Sequence, residues 1–261
     1  MSRSSKSTGI FQNLSDIVRG QDSGDLSPHV PKGVRIYVIG DIHGEIDLLE
    51  ELHEKMLVDA KNNPTDRVLQ IFLGDYIDRG LESKGVVDWL MRSPPAGWQR
   101  VCLKGNHETM VHDFLEDSGT LKRWQRLGGS QTLRSYGVRL TDQKKKISPK
   151  LLREDFSQKL PNEHRDFYSN LPLFFEMGSY FFVHAGVHPD RALHEQEERD
   201  LIWIRDEFLQ SKQDFGKIIV HGHTPVDKPK ILRNRINIDT GAYMSGILTC
   251  LVLENNEQRF L

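Results

Sequence analysis

Val38-Ile39-Gly40-Asp41-Ile42-His43-Gly44 is the stretch whose reading decides the fold of this chain. The apolar run from Val34 to Ile39 stops abruptly at Gly-Asp-x-His-Gly. That is the pattern of a buried strand delivering two metal-ligand side chains into a crevice at its carboxyl end. Alone, the stretch has two readings. Asp41 and His43 can hold a metal, or Asp41 can cap the helical pattern that begins at Glu45. Recurrence favours the first reading, because the same strand-then-ligand unit returns four more times.

Arg67–Leu73 runs into Gly74-Asp75-Tyr76-Ile77-Asp78-Arg79-Gly80, and Gln99–Leu103 into Lys104-Gly105-Asn106-His107-Glu108. Tyr180–Val183 ends in His184-Ala185-Gly186, and Lys217–Val220 in His221-Gly222-His223-Thr224-Pro225. Helical spacing of apolar residues predicts helices from Glu45 to about Ala60 and from Ser83 to Met91. Three β-then-α units in sequence predict a parallel or mixed sheet with helices outside, an α/β fold. Further strands are predicted at Arg235–Ile238, which leads to Asp239, and at Leu248–Leu253, with an antiparallel portion formed by these adjacent terminal strands.

Residues 109–172 differ in texture. Val111, Phe114, Leu115, Leu121, Trp124 and Leu127 have helical spacing, broken at Gly128-Gly129. This predicts a mainly helical cap insertion. Its Lys144-Lys145-Lys146 run reads as a solvated face. The remaining division is a flexible tail, 1–32, holding one short amphipathic pattern (Ile10 to Val18), and a single catalytic domain, 33–261.

Composition narrows the function classes. A formal charge of −2 supplies no global basic field, so nucleic acid is not an expected partner. No apolar run approaches the roughly 20 residues of a membrane helix. Cys102 and Cys250 lie in apolar runs and read as free thiols of a reducing compartment, hence a cytoplasmic protein.

The strand ends collect Asp41, His43, Asp75, Asp78, Arg79, Asn106, His107, His184, His221 and His223. Mixed carboxylate, imidazole and amide oxygens suit borderline divalent metals, manganese first, with iron or zinc as the other choices. There are enough ligands for two ions sharing one carboxylate. Such a pair activates water and polarises a phosphoryl oxygen. Arg79 offers a planar fork to an anionic phosphate. His107 is a proton donor for the leaving oxygen, oriented by Asp78 or another carboxylate. On spacing alone His221 and His223 are both candidate ligands. Asp239 reads equally as a group backing the site or as a turn residue.

Gly40-Asp41-x-His43-Gly44, Gly74-Asp75-x-x-Asp78-Arg79-Gly80, Gly105-Asn106-His107-Glu108, His184-Ala185-Gly186 and Gly222-His223-Thr224-Pro225 resemble, in order, the signature of the metallophosphoesterases. The Asp-Arg-Gly and Asn-His-Glu forms resemble the phosphoprotein phosphatase branch, the calcineurin-like serine/threonine phosphatases, in their bacterial type. The resemblance implies a central mixed β-sandwich flanked by helices. It implies that Asp41 and His43 bind a first metal, that Asp75 bridges, and that Asn106, His184 and His223 bind a second. His107 would be the general acid, paired with Asp78. Arg79 and Arg205, the latter in a Trp-x-Arg element at Trp203, would hold the phosphate together with Asn106. His221 and Asp239 would stand behind the ligands.

The implied activity is hydrolysis of phosphoprotein esters on serine or threonine, with tyrosine also open. A symmetrical dinucleoside tetraphosphate hydrolase shares the ligand set and is the close alternative. Trp124, Arg123 and Arg126 would serve it as a stacking and phosphate platform, or simply pack the cap. A non-catalytic protein-binding scaffold with a vestigial metal site fares poorly, since no ligand of the motifs is missing.

Overall fold

The computed structural model describes residues 28–142 and 145–261. The pattern Ile10 to Val18 lies outside the described residues. Residues 28–32, assigned to the tail from sequence, are placed against the sheets: Val30 is buried, and its N–H donates to Asn255 O at 2.9 Å.

Two mixed five-stranded sheets pack face to face. The first contains β1 (Val34–Ile39), β2 (Arg67–Phe72), β3 (Trp98–Cys102), β11 (Cys250–Glu254) and β12 (Glu257–Phe260), in the order β12-β11-β1-β2-β3. The second contains β6 (Phe174–Met177), β7 (Tyr180–Val183), β8 (Ile218–His221), β9 (Lys230–Ile231) and β10 (Arg235–Asn237), in the order β6-β7-β8-β10-β9. β1, β2 and β3 are parallel, as are β7, β8 and β10. The remaining pairs within both sheets are antiparallel.

The period-two alternation of side chains explains the layering. Val34, Ile36 and Val38 of β1 face Tyr180, Phe182 and Val220 of the opposite sheet and form the inter-sheet core. Tyr37 and Ile39 point the other way, onto helices α1 (Ile46–Asn62) and α2 (Ser83–Met91), where Leu49, Met56 and Val86 are buried. Phe181, Val183 and Ile219 on the outer face of the second sheet pack on Leu201 and Ile202 of α8 (Glu198–Trp203) and Phe208 of α9 (Asp206–Leu209). Each such fully buried side chain contributes roughly 1.5–3 kcal/mol of transfer free energy.

The insertion is mainly helical, as expected: α3 (Asn106–Glu116), α4 (Leu121–Leu127), α5 (Gly129–Ser135), α6 (Pro149–Lys159) and α7 (Asn162–Ser169). It also holds a small hairpin, β4 (Thr141–Asp142) with β5 (Lys145–Lys146). One expectation needs correction. The strands at 235–238 and 248–253 do not pair, because β10 joins the second sheet while β11 crosses to β1 in the first. β11 instead turns back on β12, an edge strand whose polar sequence, Glu-Gln-Arg-Phe, carries no apolar alternation to announce it. β6 also escaped notice, as a half-exposed edge strand.

Candidate metal centre and catalytic site

Register aligns the strand ends. Ile39 pairs with Phe72 and Phe72 with Cys102, so the segments after β1, β2 and β3 leave the sheet at one level. The turns that follow are strained. Among the described residues, six non-glycine residues have positive φ, and five belong to the predicted site: His43, Asp75, Asp78, Arg79 and His223. Such conformations cost roughly 1–3 kcal/mol each and cluster where side-chain placement outweighs backbone comfort.

Asp75 lies at the centre. Its Oδ2 is 3.7 Å from His43 Nε2 and 3.7 Å from His107 Nε2, and its Oδ1 is 3.3 Å from His184 Nε2. His43 Nδ1 meets Ile77 O at 2.8 Å, and His184 Nδ1 meets Leu73 O at 2.9 Å. A carbonyl only accepts, so each Nδ1 carries a proton and, in the neutral ring, the Nε2 lone pair faces Asp75. His184 Nε2 also lies 3.0 Å from Asn106 Oδ1 and 3.2 Å from His223 Nδ1. Asp41 closes the group, accepting the His223 N–H at 3.1 Å. Acceptors aimed at one another repel unless positive charge lies between them.

The titration directions agree with this. Burial, reinforced by Asp239, pushes the Asp41 carboxyl well above the usual carboxylate range. Burial lowers the His184 imidazole, but Asp75 more than reverses this and holds it at about 9. Burial and the neighbouring His107 hold His43 down to about 3, and burial with His184 holds His223 to about 2, so both are neutral ligands in waiting. His223 Nε2 is buried without a hydrogen-bond partner among the described residues. Two ligand groups share Asp75, one with His43 and His107, the other with His184 and His223. The donor set fits a pair of divalent cations.

His107 sits beside this centre and is held differently. Its Nδ1 meets Asp78 Oδ2 at 2.6 Å, and its backbone N–H donates to Asp75 Oδ1 at 3.0 Å. Burial disfavours the imidazolium, yet Asp75 and Asp78 outweigh it and raise the pKa. Asp78 is itself pinned by the cap. Trp124 Nε1 donates to both carboxylate oxygens, at 3.0 and 2.9 Å, and Thr132 Oγ1 donates to Oδ1 at 2.5 Å. The Asp78 N–H faces Thr132 Oγ1 at 2.9 Å and Ser83 Oγ at 3.0 Å. Sequence reading missed Thr132 and Ser83, and it treated Trp124 only as packing or a stacking surface. One signal was available for Trp124: a buried indole N–H needs an acceptor.

Glu108 orients the turns. Its carboxylate accepts the N–H groups of Asp75 and Gly105 at 2.9 Å and of Tyr76 at 2.8 Å. His221 is buried but leaves the ligand group; its Nδ1 meets Gly222 O at 3.1 Å and its Nε2 faces Arg235 at 3.3 Å. Asp239, buried and raised to about 6 by that burial, accepts the Gly241 N–H at 2.9 Å and adds negative charge beside Asp41 and Asp75. Arg79 is half-buried; its guanidinium lies 4.5 Å over the Tyr243 ring and donates to the Tyr243 hydroxyl. Arg205 is exposed and close enough to His223 to contribute to its depressed pKa. Tyr76 faces away, donating to Leu103 O at 2.6 Å. His164, which shares no pattern with the other histidines in the sequence, is buried between Tyr136 and Asp88, at 2.7 and 2.9 Å.

A family model described as calcineurin-like phosphoesterase matches residues 34–246. The chain belongs to the calcineurin-like phosphoesterases. Its relatives carry different activities. A bis(5'-nucleosyl)-tetraphosphatase PrpE [asymmetrical] of Oceanobacillus iheyensis is 25% identical over 240 residues, covering 83% of this chain and 87% of its own length. Serine/threonine-protein phosphatase 2 of Escherichia coli is 29% identical over 226 residues, covering 82% and 90%. Among solved structures, a cold-active protein tyrosine phosphatase superposes with a TM-score of 0.54 at 16% identity, over 89% of this chain and 81% of that one. At that identity the likeness shows the fold alone.

As a calcineurin-like phosphoesterase the chain is a metal-dependent hydrolase. No described helix is long and apolar enough to cross a membrane. The ten strand-end residues singled out from sequence fall into three sets: Asp41, His43, Asp75, Asn106, His184 and His223 around the Asp75 carboxylate; Asp78, Arg79 and His107 beside them; and His221 behind.

Proposed function

We propose that this phosphoesterase hydrolyses phosphate monoesters on protein side chains, serine and threonine first, with phosphotyrosine as a further substrate. The observation that carries the reading is the His107–Asp78 pair, 2.6 Å apart and anchored by Trp124 and Thr132. A serine or threonine oxygen departs as a strong base and needs a proton as the P–O bond breaks. A nucleotide leaving group departs as a weakly basic phosphate and needs one far less. A proton donor held this firmly suits the alcohol.

In this reading Asp41 and His43 would hold one cation and Asn106, His184 and His223 the other, with Asp75 available to both. Divalent ions bound there, manganese the leading choice, would supply a nucleophile from water at neutral pH and offset charge on the phosphoryl oxygens. Arg79 and Arg205 grip the phosphate from its outer side, aided by the Asn106 amide, and fix it in line with the leaving oxygen. His107 then passes the proton on its Nε2 to that oxygen, while Asp78 on Nδ1 stabilises the ring orientation.

A second reading, hydrolysis of dinucleoside tetraphosphates, is supported by two ring-and-cation pairs near the centre. Arg79 lies over Tyr243, which is edge-on to His43, and Arg123 lies 5.2 Å over Trp203, which is edge-on to His223. The names of the PrpE relatives point the same way. Trp124 gives it no support as a stacking platform, because it is fully buried. Rates on a phosphoserine peptide, a phosphotyrosine peptide and diadenosine tetraphosphate at one manganese-loaded enzyme concentration decide between the readings. Faster turnover of the dinucleotide than of either peptide would overturn the first.

A further inference from the structure

The cap carries a cationic groove that starts at Arg79. One cavity, about 680 Å³, is lined by Arg79, Tyr243, Gln131, Arg126 and Arg134. A second, about 580 Å³, continues from it, sharing Gln125, Ser130 and Arg134, and reaches Lys122 and Lys146 beside the β4–β5 hairpin. Among the described residues no carboxylate lines either cavity. Arg126, Arg134, Lys122 and Lys146 are exposed, and none makes an ion pair among the described residues. A chain of formal charge −2 has thus gathered four unpaired cations along one path leading away from the phosphate arginine. The near end is firmly joined to the site, since the backbone of Gly128 accepts from the Arg79 N–H at 3.4 Å.

We propose that this groove binds an acidic peptide segment on one side of the phosphorylated residue. The inference rests on the phosphoprotein reading and deepens it. Unpaired cations at intervals along a channel raise the local concentration of anionic ligands and fix their register. The far end separates a peptide from a polyphosphate. Leu121, Leu140, Ile147, Pro149 and Leu152 line it, and among the described residues no aromatic side chain does. A polyphosphate has no use for an aliphatic floor, and a nucleobase finds no ring to stack on. A peptide carrying acidic residues near the phosphate and an aliphatic one farther out uses both.

The test is a set of phosphoserine peptides whose flanks are acidic, neutral or basic, assayed on the manganese-loaded full chain, with diadenosine tetraphosphate and an aryl phosphate alongside. The expected kcat/KM for the acidic flank exceeds that for the basic flank by about tenfold, from several weak surface pairs acting together. An R126E/R134E variant is expected to reverse the preference, and K122E/K146E to weaken it. Equal rates for all flanks, or an unreversed preference in the charge-swapped variant, overturn the groove and leave the phosphoprotein reading standing. Turnover of aryl phosphate with no peptide turned over overturns both. Loss of diadenosine tetraphosphate cleavage in R126E/R134E without any change in peptide preference assigns the groove to polyphosphate and overturns the proposal.

Discussion

His107 is the residue on which the proposed chemistry turns. His107→Asn removes the proton donor but leaves the other acceptors around Asp75 in place. Turnover of a phosphoserine peptide should fall about 10²- to 10⁴-fold. Elemental analysis should still find two metal equivalents per chain; parallel loss of metal and turnover would deny His107 the acid role. Trp124→Phe asks a finer question. It removes the indole N–H that faces both oxygens of Asp78 at 2.9–3.0 Å while keeping a ring in the cap core. A hydrogen bond to a charged group is worth about 1.5–3 kcal/mol. Alkyl phosphate turnover should therefore drop by about tenfold or more, and aryl phosphate turnover much less, because a phenolate leaves without help. An unchanged alkyl-to-aryl ratio would reduce Trp124 to packing. The candidate ligands around Asp75 were legible in sequence because His, Asp and Asn after an apolar run are scarce and recur. The partner of Trp124 was not, because it lies 46 positions away and helical spacing reports only that the ring is buried.

Among the elements, the corner between α4 and α5 ties the cap to the site. Gly128 has φ +106, and a Cβ there would meet the Arg79 backbone nitrogen at 2.5 Å. Gly128→Ala must strain the corner and displace Arg79. We expect a stability loss of about 1–3 kcal/mol in urea unfolding and a raised KM for phosphate esters. A stable variant with unchanged KM would show that the corner is free to adjust. The Gly128-Gly129 break was visible in the sequence as the end of a helical pattern, whereas its contact with Arg79 was not. Strands with strong apolar alternation were likewise legible, while β6 and β12, half-exposed at sheet edges, were hidden by their composition.

Across the whole molecule, Asp59 joins distant parts of the chain. From α1 it accepts Tyr37 Oη of β1 at 2.6 Å and Arg259 of β12 at 2.6–2.7 Å, with Arg35 3.7 Å away. Burial raises its carboxyl, but the Arg259 and Tyr37 hydrogen bonds more than offset that, so it titrates below its ordinary 3.8. A folded-state value below the unfolded one gives stability that is full above about pH 4 and lost as pH falls through the lower folded value. Asp59→Asn should lower stability at pH 7 and flatten the acid limb of a stability–pH curve; an unaltered limb would remove Asp59 from that role. Chelation acts on the whole fold as well. Asp41, Asp75 and Asp239 converge with no cation between them once metal is removed, so the melting temperature should fall with chelator and recover with manganese. A melting temperature indifferent to chelator would contradict the two-cation centre.

The sequence by itself determined the alternation of strands and helices, the ligand types at each strand end and the family they resemble, because these depend on local periodicity and residue chemistry. Only the tertiary structure decided that His221 turns to Arg235, that the terminal strands part between two sheets, and that the cap holds Asp78 through Trp124 and Thr132. Those outcomes depend on which groups meet after packing, and a hydrogen bond or a lone-pair direction is set by the neighbour that folding supplies.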